Sequence, residues 1–402
     1  MISIYTLTSP LHDKASVDAA TREFLENLEI EYSFKGDNFD DYGQDLSLVF
    51  VRTGGTEGIF KEILPSLLTA PSRNFLLLTS GKSNSLAASM VILSYLRQRG
   101  IPGEIIHGGT AYVRSRILAL EKAFKARRLL GDARLGVVGK PSDWLISSGV
   151  DKAAVSDRLG ITIDDIPMEE LLDRYNAQEE EAEDAFKSVE GREEGLLSKV
   201  VTDSIPGAYR IYKALRSIIG EHGLSGLTIR CFDLLSAVRN TGCLALARLN
   251  SEGFVAGCEG DIPAMLSMMI GRAVTGVSGF QANPSSIDLE KGEMVFSHCT
   301  VPLDMVDGFG LDTHFESGIG VDIRGHLPAG PVTVFKVSGD LSRHFICEGE
   351  LLRCEAKPDL CRTQAVLRLP AEASRYFLTD PIGNHHIILP GHHASELKEL
   401  LG

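Results

Sequence analysis

The chain has 402 residues, of which 44% are hydrophobic and 23% are charged. This composition excludes a largely disordered protein and favours two or three globular domains. The net charge of -14 argues against a protein that grips nucleic acid through phosphate contacts. Residues 1–8 have no basic region before an apolar run, and no apolar segment reaches membrane-spanning length. We therefore expect a cytoplasmic protein that binds neither nucleic acid nor a membrane.

The first 133 residues alternate short apolar segments with amphipathic ones. The apolar segments predict strands at residues 2–8, 46–52, 74–79 and 103–107. Each is followed by small or turn-forming residues and then by a helical pattern, which is typical of a parallel, doubly wound sheet. None of the glycine-rich turns spells a dinucleotide or nucleoside triphosphate fingerprint. We therefore predict an α/β domain over residues 1–133.

A second α/β unit is predicted over residues 134–250. It begins with a strand at 134–138, which runs into a Pro-Ser-Asp turn and a predicted helix carrying Trp144, the only tryptophan. The acidic run at 179–184 predicts the solvated face of a helix. A further strand is predicted from Leu227.

Residues 251–402 are expected to form a β-rich domain. From about residue 292, β-branched segments alternate with Gly, Pro and Asp and predict antiparallel strands at 294–301, 331–337 and 344–348. A short helix is predicted from about Ser395.

The seven cysteines all lie at or after Cys231 and include no CxxC pair, so reduced thiols are the simplest interpretation. Cys347, Cys354 and Cys361 are evenly spaced, but in a β-rich segment this spacing does not aim three sulfurs at one point. A cysteine-based metal site is therefore not predicted.

An acidic turn follows the apolar strand predicted near residues 254–258. Asp261 precedes Ile262 and Pro263, which is where the N-cap of a helix belongs, although a catalytic role for Asp261 stays open. Glu259 follows small or apolar residues and would need a nearby cation or a proton if it were buried. We therefore predict that Glu259 is a ligand.

The histidines are concentrated near the C-terminus. Eight of the eleven lie within the last 105 residues: His298, His314, His326, His344, His385, His386, His392 and His393. Adjacent strand residues point to opposite faces of a sheet, so only one of His385 and His386 can face a given pocket. One glutamate with two histidines is a ligand set that suits Mn²⁺, Fe²⁺ or Zn²⁺.

Five motifs carry a family resemblance that extends over nearly the whole chain: GKPSDWLI at 139–146, IRCFDLL at 229–235, CEGDIPA at 258–264, FSHC at 296–299 and GNHH at 383–386. In combination they resemble the L-fucose/L-arabinose isomerase-like superfamily, and they look closest to an uncharacterised branch of it. The resemblance implies an α/β fold with two Rossmann-like doubly wound domains, the second able to receive a returning C-terminal helix, followed by a β-rich, barrel-like C-terminal domain. It also implies a homo-oligomer, a trimer or a hexamer, with active sites near subunit contacts.

The isomerases of this family hold a divalent metal, usually Mn²⁺, between two acidic side chains and a histidine, and move a proton between C1 and C2 of a sugar through an ene-diolate. The resemblance implies that Glu259 and His385 are metal ligands and that His298 lies beside them. The position expected for the second acidic ligand holds Asn283, whose amide can bind a metal but cannot shuttle a proton. Asp261 and Asp288 are the alternatives, and the sequence does not choose between them.

The leading hypothesis is therefore a metal-dependent carbohydrate isomerase, with Mn²⁺ as the expected cofactor and a small sugar or modified sugar as the substrate. Two alternatives stay open: a metal-dependent sugar lyase or epimerase, and a sugar-binding protein that has lost catalysis. The residues predicted to act are Glu259 and Asp261 in catalysis, and Asn283, His298, Lys140 and Arg230 in substrate binding.

Overall fold

The computed structural model describes residues 1–70, 74–178 and 197–402. The predicted acidic helix face at 179–184 lies outside these residues. The chain divides into two compact units, Met1–Phe124 and Lys125–Gly402. The three-domain boundaries at residues 133 and 250 stay predictions.

The first unit is built on a five-stranded parallel sheet with the order β2-β1-β3-β4-β5. Its strands are β1 (Ile2–Leu7), β2 (Ser33–Gly36), β3 (Leu46–Val51), β4 (Phe75–Leu78) and β5 (Gly103–Ile106). The helices that follow the strands are α1 (Lys14–Leu28), α2 (Glu57–Leu67), α3 (Ser85–Arg97) and the start of α4 (Thr110–Gly131). Alternate residues of β1 enter different apolar clusters, Ile4 with Phe50 and Tyr5 with Val49. Both faces of the sheet are therefore covered, as a doubly wound sheet requires.

The second unit contains a parallel sheet with the order β7-β6-β8-β9. Its strands are β6 (Arg134–Val138), β7 (Thr162–Ile166), β8 (Gly226–Ile229) and β9 (Val255–Gly257). Its helices are α5 (Lys152–Leu159), α6 (Met168–Ala177), α7 (Lys199–His222), α8 (Phe232–Ala237) and α9 (Cys243–Ser251). Helix α7 packs between α6 and α9, and its apolar side contributes Ile211, Leu215 and Ile218 to the core of this sheet.

The predicted helix carrying Trp144 is wrong. Trp144 lies in a series of turns between β6 and α5. The backbone N–H of Ser142 donates to the carbonyl of Glu259 at 2.9 Å, and the indole packs edge-on against Phe232 with ring centroids 4.8 Å apart. These tertiary contacts hold the segment in a conformation that local sequence preference did not predict.

The rest of the second unit is a closed antiparallel barrel with the order β10-β11-β16-β15-β14-β17. Its strands are β10 (Phe280–Asp288), β11 (Glu293–His298), β14 (Gly330–Val337), β15 (His344–Glu355), β16 (Thr363–Arg368) and β17 (His386–Pro390). A separate hairpin pairs β12 (Gly308–Asp312) with β13 (Asp322–His326), and the helices are α10 (Ile262–Thr275), α11 (Ala371–Thr379) and α12 (Ala394–Leu401). The predicted fold class, two Rossmann-like sheets followed by a barrel, is confirmed.

Helix α10 connects the second sheet to the barrel. Residues 262–271 of this helix are all buried, because it contacts β8 and β9 of the sheet as well as β14 and β17 of the barrel. A helix that is apolar all round is expected in such a sandwiched position. Its N-terminus therefore lies where the end of the parallel sheet meets the barrel. Among the described residues, none of the helices has both the length and the apolar character needed to span a membrane.

Candidate metal centre and active site

A strained turn after β9 presents Glu259. Both Glu259 (φ 64°) and Gly260 (φ 68°) adopt the left-handed conformation, which costs a non-glycine residue about 1–2 kcal/mol. The N–H of Gly260 donates to the carbonyl of Ile229 at 2.8 Å and helps hold the turn in place. A Cβ atom at Gly260 would lie 2.6 Å from the carbonyl oxygen of Lys140, so this position requires glycine. Strain of this kind is typical of functional sites.

Three side chains from separate elements meet at this turn. Glu259 Oε1 lies 3.6 Å from His298 Nε2 and 3.4 Å from His385 Nε2, and the three donor atoms lie within 4.8 Å of one another. His298 ends β11 and His385 immediately precedes β17. Strand β10 lies between these two strands, with Asn283 opposite Ser297 on β11. The barrel thus places Asn283, His298 and His385 beside Glu259, and their roles stay predictions.

The donor set fits a divalent cation. His385 Nε2 is buried and has no hydrogen-bond partner, and its 3.4 Å separation from Glu259 is too long for a good hydrogen bond. The other ring nitrogens are occupied, since His385 Nδ1 bonds to Asp261 Oδ2 at 2.8 Å and His298 Nδ1 lies 3.1 Å from Thr300 Oγ1. Partners of this kind orient metal-binding histidines in many proteins. The Nε2 atoms of both histidines therefore face the Glu259 carboxylate and are available to bind a metal ion.

Asp261 binds His385 on the side of the ring that faces away from Glu259, through Nδ1. Its carboxylate also accepts the N–H of Ala264 at 3.0 Å, so the predicted N-cap is confirmed. The ammonium of Lys336 on β14 lies 3.6 Å from Asp261 Oδ2, and both groups are buried. Burial by itself raises the pKa of Asp261, but Lys336 and His385 outweigh it and hold the pKa of this carboxyl well below its usual range.

The charges of the cluster are coupled. Burial opposes ionisation of Glu259, yet the imidazoles of His298 and His385 hold the pKa of its carboxyl far below the usual value. Burial disfavours the charged form of His385, but its hydrogen bond to Asp261 and the nearby negative charges of Glu259 and Asp261 raise its pKa to about 9. Burial lowers the pKa of His298. The negative charges of Glu259 and Asp261 therefore favour a positive charge at this point of the cluster.

A cavity of about 210 Å³ opens beside the cluster. Its wall includes Glu259, Asn283, His298, His314 and Phe232. A second cavity of about 330 Å³ adjoins it and is lined by Trp144, Phe232, Glu259, Asn283, Glu316 and Asn384. None of the described residues that line these two cavities is a lysine or an arginine. The site therefore presents hydrogen-bonding and acidic groups beside an aromatic wall.

Two side chains at the mouth of the site were not identified from the sequence as site residues. Trp144 Nε1 donates to Glu259 Oε2 at 2.7 Å, which leaves Oε1 facing the two histidines. Glu316, between β12 and β13, lines both cavities. The sequence does contain a sign that Lys336 is unusual, because this lysine interrupts the apolar strand at 332–337 and is buried there.

The predicted cationic residues lie elsewhere. Lys140 is largely exposed, with Asp143 its nearest acidic partner at 3.9 Å. Arg230 donates to the carbonyl of Pro141 at 2.7 Å and forms a two-point contact with Asp143. Neither lines the two cavities, and their role in substrate binding stays a prediction. Asp288 accepts the N–H groups of Glu290 and Lys291 in an exposed turn and does not line the two cavities.

Comparison with known proteins supports a relationship to sugar isomerases. Residues 146–275 match the L-arabinose isomerase central domain. The chain is 30% identical over 226 residues to a sulfoquinovose isomerase of Clostridium sp. (strain MSTE9), which covers 54% of this chain and 50% of the relative. It is 26% identical over 283 residues to sulfoquinovose isomerases of Priestia aryabhattai and Priestia megaterium (strain ATCC 12872 / QMB1551), with 68% of this chain and 63% of each relative covered. The matches thus span between half and nearly two thirds of the length of these relatives.

Proposed function

We infer, because this chain belongs to the L-fucose/L-arabinose isomerase-like superfamily, that it is a metal-dependent isomerase that interconverts an aldose and a ketose. The observation that carries this proposal is the convergence of Glu259, His298 and His385, with the buried Nε2 of His385 left without a partner. A divalent ion bound at this centre, with Mn²⁺ the first candidate, would supply positive charge that stabilises a developing oxyanion on the sugar.

The protein groups around this centre have distinct roles. Glu259 and the two histidines would hold the ion, and Asp261 is a positioning residue that keeps His385 Nε2 directed at the centre. Proton transfer between C1 and C2 requires a carboxylate that is free of the metal. Asn283 cannot serve, and Glu316, which lines the same cavities, is the carboxylate we assign to this task.

The substrate we propose is a small sugar or a modified sugar. Sulfoquinovose, named for the relatives, is the first candidate, and its sulfonate would need a cation. The described lining residues provide no lysine or arginine. A neutral aldose is therefore the alternative that the described lining itself favours, and both belong in the same screen.

We propose a homo-oligomer, because members of the superfamily are commonly oligomeric. A cytoplasmic location suits the seven cysteines, all of which are free.

The first experiment measures the metal. The protein is purified without chelator, loaded with Mn²⁺ and desalted, and its metal content is determined by mass spectrometry for the wild type, Glu259→Gln and His385→Gln. About one ion per chain in the wild type and a loss in both variants is expected. Glu372→Gln and His344→Gln are matched controls on exposed side chains, and they should retain the ion. Failure of the wild type to bind Mn²⁺, Fe²⁺ or Zn²⁺ would overturn the proposal.

The second experiment tests the reaction. The Mn²⁺-loaded protein is incubated in D₂O with sulfoquinovose and a panel of neutral aldoses and ketoses, and products are followed by nuclear magnetic resonance. Isomerisation through an ene-diolate should give the ketose or aldose partner and bring deuterium to the carbon that receives the proton. Cleavage products or a C2 epimer without a ketose would instead identify a lyase or an epimerase.

Asn283, at the position where the family resemblance implies an acidic ligand, is the residue that favours a sugar-binding protein without catalysis. That alternative predicts thermal stabilisation by a sugar of the panel, with no product under any metal. Turnover of any sugar that is lost in Glu259→Gln would exclude it.

A further inference from the structure

A second group of buried metal-binding atoms lies near the candidate centre. The thiols of Cys243 and Cys299 are 3.3 Å apart, and an oxygen of Asp322 lies within 4.8 Å of both sulfurs. Cys243 begins helix α9, Cys299 follows β11 and Asp322 begins β13, so three separate elements converge on this point. All three side chains are buried.

Asp322 is the feature that demands an explanation. Asp322 is completely buried, and neither of its carboxylate oxygens has a hydrogen-bond partner among the described residues. Leaving a buried carboxylate without a partner costs several kcal/mol, so such groups are usually protonated, paired or bound to a cation. Burial raises the pKa of this carboxyl to about 7, although the thiols of Cys243 and Cys299 and the charge of Arg362 oppose the rise.

We propose that Cys243, Cys299 and Asp322 form a second metal site, selective for a thiophilic divalent cation such as Zn²⁺. Two thiolates and one carboxylate are donors typical of zinc rather than of Mn²⁺ or Mg²⁺. The thiol of Cys361 also contacts that of Cys299. Binding of the cation would release the thiol protons and give the Asp322 carboxylate a positively charged partner.

This site is distinct from the centre at Glu259, but the two share a wall. Cys243, Cys299 and Cys361 line the same 210 Å³ cavity as Glu259 and His298. Cys299 follows His298 directly in the chain, and its sulfur lies 3.9 Å from His298 Nδ1. The proposal does not depend on the isomerase reaction, because the donors belong to different residues and have different metal preferences.

The test uses Cd²⁺ as a spectroscopic substitute for Zn²⁺. Reduced full-length protein, freed of metal by chelator and then of the chelator, is titrated with Cd²⁺ while the ultraviolet charge-transfer band of cadmium thiolate is recorded. We expect about one equivalent of Cd²⁺ to produce the band and Mn²⁺ to produce none. Zn²⁺ should compete the band away.

Variants assign the band. Cys243→Ser and Cys299→Ser should abolish it, whereas Cys347→Ser, which removes another buried thiol, should retain it. Glu259→Gln should also retain it, which separates this site from the other centre. Asp322→Asn preserves the shape of the side chain and should raise the Kd for Cd²⁺ at least about tenfold.

Circular dichroism of each variant establishes whether it is folded. If a serine variant is unfolded, the near-isosteric Asp322→Asn decides the question. The proposal is overturned if the reduced wild type shows no band, if the band persists in the folded serine variants, or if Asp322→Asn binds Cd²⁺ as tightly as the wild type does.

Discussion

Asp261 Oδ2 and His385 Nδ1 lie 2.8 Å apart, although 124 positions separate the two residues in the chain. The bond joins the N-terminus of α10 to the residue before β17. Because Nδ1 is engaged, the imidazole presents Nε2 to the Glu259 carboxylate. The same aspartate caps α10 and lies beside the ammonium of Lys336, so one buried carboxylate links helix position, charge balance and the orientation of His385.

Replacing Asp261 should weaken metal binding. In Asp261→Asn the Kd for Mn²⁺ is expected to rise about 10–100-fold, because a single amide oxygen cannot accept from both His385 and the N–H of Ala264. Lys336 would lose its buried counter-charge, and the free energy of unfolding should fall by about 3–5 kcal/mol. Titration calorimetry and urea unfolding measure the two effects. Asp288→Asn, on an exposed turn, is the matched control, and equal Mn²⁺ affinity in the two variants would contradict the role of Asp261.

The hydrogen bond from Trp144 to Glu259 should contribute modestly to metal affinity. Trp144→Phe keeps an aromatic ring against Phe232 and removes the indole N–H. The indole is half exposed, so we expect a loss near 1 kcal/mol, which corresponds to a roughly fivefold higher Kd for Mn²⁺. Calorimetry at a fixed pH measures the change. An unchanged Kd would mean that the carboxylate keeps its orientation without this bond.

An acidic residue at position 283 should tighten metal binding. Asn283 lines both cavities with Glu259, and its Oδ1 accepts a hydrogen bond from Asn384 at 2.9 Å. In Asn283→Asp a carboxylate replaces the amide oxygen, and we expect at least about tenfold tighter Mn²⁺ binding from the added negative charge. Quenching of the single tryptophan, Trp144, reports the titration. Asn38→Asp makes the same charge change on the surface and should have no effect.

Removing the carboxylate of Glu316 should affect the reaction rather than the metal. In Glu316→Gln we expect kcat to fall about 10²–10⁴-fold, the usual contribution of a general acid–base group, with Mn²⁺ content unchanged. Rates on the best sugar of the panel and metal content by mass spectrometry are compared with those of Glu372→Gln. Loss of the metal, or full activity, would rule out the assigned role.

His386 should make the metal-free protein sensitive to acid. It is buried among Phe345, Tyr376 and Phe377, and this burial lowers its pKa to about 3. The unfolded chain takes up this proton near pH 6.5, so the unfolded state binds more protons between about pH 3 and 6.5. The stabilisation is therefore complete above about pH 6.5 and is lost at up to about 1.4 kcal/mol per pH unit as the pH falls.

Urea unfolding at several pH values between about 4.5 and 7 measures this dependence on the wild type and on His386→Phe. In the phenylalanine variant the free energy of unfolding should depend less steeply on pH, by the equivalent of up to one proton, because phenylalanine cannot be protonated. His344→Phe, on an exposed strand position, should keep the wild-type slope. Identical slopes for wild type and His386→Phe would contradict the prediction.

The sequence by itself determined the order of architectures and much of the candidate centre. Alternating apolar segments are local patterns, and they predicted the parallel sheets and the β-rich C-terminal part because periodicity reports which face of an element is buried. The acidic turn at Glu259 and Asp261 and the paired His385 and His386 were visible for the same reason, since strand ends and caps have local signatures.

Only the tertiary structure decided which side chains meet. Closure of the barrel places His298 beside His385, and the burial of α10 brings Asp261 within reach of Lys336. Trp144 lies in a turn rather than in the predicted helix, and its indole N–H donates to Glu259. The thiols of Cys243 and Cys299 are in contact although 56 positions separate the two residues in the chain. Contacts of this kind depend on packing between distant elements, which no local pattern encodes, so the partners in both candidate metal sites emerge only when the chain is folded.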